Sequence, residues 1–141
     1  MKTVVLGTDG SQGAESAVRK LIELGSGSGA TVHLVCAYPV PSALERIGMT
    51  ARQEPTDLRG VAYDVLARDE RRLADAGFSV EKHAREGEPA NAIIDVAGDV
   101  KADLIVVGAR GTTGLRRFRI GGVTSKLSHN SPTSLLIVHD E

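Results

Sequence analysis

The chain has 141 residues, 41% of them apolar and 25% charged, and 17 basic against 18 acidic side chains leave a formal net charge of −1. That length suits one globular domain over residues 1–141, with enough chain to bury a core without disulfide or metal staples. The balanced charge and the scarcity of aromatics (two Tyr, two Phe, no Trp) argue against a nucleic-acid-binding polycation or a base-stacking platform, and no run of about 18 apolar residues offers a membrane span.

Residues 3–8 (TVVLGT) are a β-branched apolar run, read as a first strand and broken by Asp9, Gly10 and Ser11. From Ala14, apolar residues at 14, 17, 18, 21 and 22 follow helical spacing, with Gly25 as the stop. Residues 31–37 make a second strand. Residues 38–56 hold Pro39, Pro41, Gly48 and Pro55, and read as a long loop with a helical turn near 43–47. Apolar residues at 58, 61, 62, 65, 66 and 73 predict a second helix from Asp57 to about Gly77. Residues 78–85 alternate weakly, and their polarity suits an edge strand. Pro89 fits the first position of a third helix that carries Ala90, Ile93, Ile94 and Ala97 on one face. Residues 104–107 (LIVV) are the strongest strand, followed by a Gly- and Arg-rich loop, a short helix from about Gly122 to Asn130, and a last strand at 135–138.

Strands alternating with helices predict an α/β fold: a doubly wound parallel sheet with helices on both faces, in three layers. The runs at 3–6, 104–107 and 135–138 are continuously apolar, as expected of strands buried on both faces. Ligands of such sheets bind beyond the carboxyl ends of the strands, where strand order reverses. The positions to watch are therefore 9–11, 37–41, 86–89 and 108–122.

The last of these stretches carries the clearest chemistry. Gly108, Gly111, Gly114, Gly121 and Gly122 let backbone amides approach an anion closely, and a helix starting at Gly122 would aim free N–H groups at the same place. From Leu104 to His139 there are five basic residues (Arg110, Arg116, Arg117, Arg119 and Lys126) and no acidic one, so the remaining 12 basic and 18 acidic residues leave −6 on the rest of the chain. A cationic segment on an anionic body, centred on a glycine-rich turn, points to phosphate binding, with one or more of the arginines on the phosphates. Other phosphate motifs are absent: no Gly-Lys pair exists for a Walker A loop, the first strand is not followed by G-x-G-x-x-G, and no phosphoacceptor Asp closes the third strand.

The spacing Gly108-x2-Gly111-x9-Gly121 resembles the nucleotide loop of the universal stress protein family, G-x2-G-x9-G-[ST] after the fourth strand. The opening Val4-Val5-Leu6-Gly7-Thr8-Asp9-Gly10-Ser11, the block Asp103 to Gly108, and the ending around Ser131-Pro132 and 135–138 resemble that family too, so the resemblance covers nearly the whole chain. It implies a Rossmann-like, adenine nucleotide alpha hydrolase-like sheet of five parallel strands in order 3-2-1-4-5, and a homodimer paired through the strand at 134–139. It also implies ATP, with Mg²⁺ on its phosphates, in the cleft between strands one and four. On this resemblance Thr8 and Asp9 meet the adenosine, Ala37 borders the adenine, and Val107, Gly108, Arg110, Gly111, Gly121, Gly122, Val123 and Thr124 surround ribose and phosphates. The sequence departs from the family at Gly122, where Ser or Thr is usual. The amide survives and the hydroxyl is lost, which leaves ADP, AMP or no ligand as open alternatives to ATP, with Thr124, Ser125 or an arginine as compensation.

The remaining candidates read as ordinary structure. Asp9 and Ser11 each suit a helix cap. Cys36 falls in a buried strand pattern as an inert thiol. As the only cysteine it excludes an intrachain disulfide and a cysteine-clustered zinc site, and with no signal-like N-terminus it suits a reducing, cytoplasmic setting. His33 and His83 fit packing or edge positions, and no His/Cys/Asp cluster has metal spacing. Ser125, Ser128 and Ser131 are polar surface or phosphoacceptors. Ser11 lacks the G-x-S-x-G elbow of a hydrolase. The function that follows is a nucleotide-binding, dimeric stress-response regulator read by an unknown protein partner. A ligand-free interaction protein and a slow ATPase are the alternatives, and Asp9 and Glu86 are the only strand-end carboxylates to position water.

Overall fold

The computed structural model describes residues 1–40, 57–109 and 122–140. In chain order these form β1 (Thr3–Gly7), α1 (Gln12–Gly25), β2 (Thr31–Tyr38), α2 (Leu58–Asp75), β3 (Ser79–Glu86), α3 (Pro89–Val100), β4 (Leu104–Gly108), α4 (Gly122–Asn130) and β5 (Ser134–Val138). The five strands make one parallel sheet in the order β3-β2-β1-β4-β5, as expected. The helical turn predicted near 43–47 lies outside the described residues.

Local chemistry fixes the element ends. Ser11 caps α1, its hydroxyl accepting the Ala14 amide at 3.2 Å. Asp57 caps α2 by accepting the Gly60 amide at 2.8 Å. Pro89 opens α3, where its missing N–H is no loss. Gly77, with φ +96°, takes the left-handed turn that leads from α2 into β3.

Alternation along the strands sorts the core into two layers. Val4, Leu6, Leu34, Cys36 and Val106 face α1 and α2, where they meet Val18, Leu21, Leu66 and Leu73. Val5, Val35, Ile105 and Val107 face α3 and α4, against Ile93, Val96, Ala97 and Leu127. The strands β1 and β4 are therefore buried on both faces, as their unbroken apolar runs predict. In β5 the expectation fails: Leu135, Leu136 and Ile137 are only half-buried. Among the described residues the strand pairs with β4 alone and stands at the sheet edge, so these side chains pack on the core yet stay partly open. The polar β3 forms the opposite edge, as its sequence suggests.

From β1 the chain crosses by way of α1 to β2, and from β4 it crosses over the other face to β5. The two crossovers part between β1 and β4, so their carboxyl ends flank a crevice.

Candidate functional site

A cleft of about 320 Å³ opens at the carboxyl edge of the sheet. Its floor comes from strand ends: Thr8 and Asp9 after β1, Ala37 and Tyr38 at the end of β2, Val107 and Gly108 on β4. One wall is the apolar face of α2, with Leu58, Val61, Ala62 and Val65. Pro89 and Ile93 of α3 and Val123 and Thr124 of α4 complete it. The lining is largely apolar with a few polar groups at its ends, and the volume lies in the roughly 300–1,000 Å³ range of small-molecule sites.

Seven positions singled out in the sequence, namely Thr8, Asp9, Ala37, Val107, Gly108, Val123 and Thr124, are thus brought to one cavity. Gly122 opens α4 beside it and is exposed, without lining it. Arg110, Gly111 and Gly121, together with Arg116, Arg117 and Arg119, lie outside the described residues. Among the described residues no group of three or more His, Cys, Asp or Glu side chains could hold a metal ion.

Geometry gives several of these residues structural work as well. The Thr8 hydroxyl donates to Asp69 Oδ2 at 2.7 Å and accepts the Gly10 amide at 3.3 Å, while the Thr8 amide donates to the Val35 carbonyl at 2.9 Å. Asp9 Oδ1 accepts the Ser11 amide at 2.9 Å, which shapes the turn into α1, so the helix-entry role and a place on the cleft coexist in one residue. Gly108 owes its identity to packing: a Cβ there would strike the backbone carbonyl of Gly13 at the start of α1. Lys126, counted in the cationic segment, is engaged by Glu88, with Nζ 2.6 Å from both carboxylate oxygens. That pair ties the start of α3 to α4.

Cys36 sits on the cleft wall with 5% exposure. Burial, helped by the negative charges of Asp9 and Asp69, pushes its thiol up to about 11. At neutral pH it is a small apolar group on the cleft wall, in keeping with an inert thiol.

Sequence reasoning missed Asp69, which is completely buried in α2. A signal was present: the buried stripe of α2 runs Ala62, Leu66, Asp69, Leu73, so a carboxylate occupies a core position at helical spacing. It also missed the contact between His33 Nδ1 and His83 Nε2, 2.9 Å apart across β2 and β3.

The Universal stress protein family profile matches residues 1–139. The chain belongs to the universal stress protein family. A universal stress protein of Mycobacterium tuberculosis is 32% identical over 141 residues, covering 98% of this chain and 96% of its own. A solved universal stress protein in complex with cAMP is 30% identical, with a TM-score of 0.70 and coverage of 98% and 96%. A universal stress protein from Archaeoglobus fulgidus in complex with dAMP shares the fold at 20% identity, with a TM-score of 0.70 and coverage of 98% of each chain. Gly122 is the first residue of α4, beside the cleft. Among the described residues no helix is long and apolar enough to cross a membrane.

Proposed function

We propose that this chain binds an adenine nucleotide in the β1/β4 cleft and acts as a ligand-dependent regulatory protein. The observation that carries the reading is the division of the cleft. Its α2 side is apolar and slot-like, which suits a purine face. Its α4 side presents the first amides of a nine-residue helix, which suit phosphate. Between them Asp9 stands where a ribose or base N–H or O–H would donate. The family relative with cAMP, at 30% identity, supports an adenine nucleotide as the ligand class.

In this reading ATP is the ligand, with Mg²⁺ held mainly by the phosphates. Gly122 offers its amide alone, so Val123 and Thr124 share the phosphate end. Arg110, Gly111 and Gly121 of the glycine-rich loop complete it. The chain works as a homodimer through β5, whose half-buried Leu135, Leu136 and Ile137 present an apolar edge to cover. The nucleotide regulates by favouring one state of that assembly through differential affinity. No step of hydrolysis is needed, and residues 1–141 act as one domain.

The test is direct. The purified protein is denatured, the released nucleotides are chromatographed, and the refolded protein is titrated with ATP, ADP, AMP and cAMP by calorimetry. Sedimentation is followed with and without ligand. Val61→Glu, at an exposed lip of the apolar wall, should abolish binding without disturbing the core. No released nucleotide and no heat with any of the four ligands would refute the reading. Binding without a change in sedimentation would refute the dimer-linked regulation alone.

A further inference from the structure

Asp69 is a core residue by position and an anion by chemistry. It is 0% exposed, and burying a carboxylate among apolar side chains is unfavourable unless it is fully paired. Oδ2 accepts the Thr8 hydroxyl. Oδ1 has no hydrogen-bond partner among the described residues, and the Arg68 guanidinium Nε lies 3.5 Å from it. An apolar side chain in this stripe of α2 would cost less. Stability alone therefore gives a poor account of an aspartate here.

The geometry accounts for it better. Gly10 N–H donates to Thr8 Oγ, and Thr8 O–H donates to Asp69, forming a chain from the β1–α1 turn into α2. The neighbouring Arg68 reaches the other side of the same turn, with Nη2 3.4 Å from the Gly10 carbonyl. Gly10 has φ +78°, and its α carbon packs so closely on Val65 that an added Cβ would lie 3.0 Å from Cγ2. Two consecutive α2 residues thus grip the turn that carries Asp9, while α2 one and two turns earlier supplies Val61, Ala62 and Val65 to the cleft wall.

We propose that Asp69 is a positioning residue for the cleft: through Thr8 and Gly10 it fixes the Asp9 turn at a set distance from the apolar wall of α2, and so sets the width of the slot that takes the base. The inference rests on the nucleotide reading for its functional consequence and on the hydrogen-bond chain for its structural one.

The experiment uses the full chain. The double variant Thr8→Val with Asp69→Leu replaces the polar pair by apolar groups and should melt near the parent temperature. ATP and cAMP are titrated by calorimetry, and amide hydrogen exchange at Gly10 and Ser11 is measured without nucleotide. The expected result is about tenfold to a hundredfold weaker binding and faster exchange at both amides in a folded protein. Thr8→Ser, which keeps the hydroxyl, should recover most of the binding lost in Thr8→Val. If the double variant fails to fold, Asp69→Ala, which leaves Thr8 in place and removes its acceptor, is read in the same two assays. A folded variant with parental affinity and parental exchange overturns the proposal. If the parent binds no adenine nucleotide, the nucleotide reading fails by itself, and exchange decides: faster exchange at Gly10 and Ser11 sustains the positioning role, and unchanged exchange overturns it.

Discussion

Gly108 closes β4 directly on the backbone of Gly13, so that a Cβ at Gly108 would lie 2.6 Å from the Gly13 carbonyl carbon. The obstacle is backbone at the first turn of α1, which cannot rotate away as a side chain can. Gly108→Ala should therefore destabilise the protein by about 1–3 kcal/mol, as overpacking of a close contact does. Equilibrium urea unfolding measures it. A variant as stable as the parent would show that α1 and β4 can separate without loss.

Gly122 is the contrasting glycine. Among the described residues a Cβ there meets nothing within 4 Å, and the residue opens α4. Gly122→Ser adds a hydroxyl at the phosphate end of the proposed site. Stability should change by no more than about 0.5 kcal/mol. Affinity for ATP should rise by up to about tenfold, the lower end of a hydrogen bond to a charged group. Calorimetric titration decides, and an unchanged Kd would mean that this side chain does not face the phosphates.

These two glycines also show what a sequence reveals and what it conceals. Apolar spacing located the first three helices and unbroken apolar runs located β1, β4 and β5, because a helix with one buried face repeats at 3.6 residues and a strand buried on both faces is apolar throughout. These patterns placed Asp9, Ala37 and Gly108 at strand ends that meet at one edge, and the family resemblance added Val123. Gly108 and Gly122 look alike in a glycine-rich run, however, and only the approach of Gly13 separates a packing role from an open position. Asp69 lay on a readable apolar stripe, but its partner Thr8 is 61 residues away. The His33–His83 contact depends on register, which pairs Val35 with His83 and His33 with Glu81. Lys126 reads as free cationic charge until α4 is seen beside Glu88.

Acid should weaken the fold in two separate windows. Burial, reinforced by the adjacent His33 and by Arg85, holds the His83 imidazole below its ordinary value of 6.5, with Glu81 and Asp99 opposing. Below pH 6.5 the unfolded chain takes up this proton before the folded one, so stability falls as pH drops from 6.5 through the folded value. Asp103 accepts the Thr3 and Lys2 amides at 2.9 and 3.0 Å, and those bonds hold its carboxyl below the ordinary 3.8. Its contribution is present above pH 3.8 and is lost as pH falls further, through the folded value. His83→Gln should flatten the first window and leave the second. Asp103→Asn should flatten the second and lower the melting temperature at neutral pH, because an amide oxygen accepts the Lys2 and Thr3 N–H groups more weakly than a carboxylate does. Melting temperatures from pH 7 to pH 3 test both, and a parental first window in His83→Gln would assign that loss to another group.

Cys36 offers a probe of the cleft that needs no ligand. Its thiol is raised to about 11 from an ordinary 9.0, so at pH 8 the folded protein holds on the order of a hundredfold less thiolate than the unfolded chain. Since only the thiolate attacks iodoacetamide, alkylation of the native protein should be at least that much slower than in urea. The 5% exposure of the side chain adds to the protection. Asp9→Asn removes one of the two carboxylates that raise the thiol, and should speed native labelling modestly by the electrostatic route alone. A large acceleration in that variant would have a different cause, the opening of the turn between β1 and α1, and protease sensitivity at the same pH would separate the two. Native labelling as fast as in urea would mean that the cleft opens freely enough to expose the Cys36 thiol, which would be incompatible with a preformed slot.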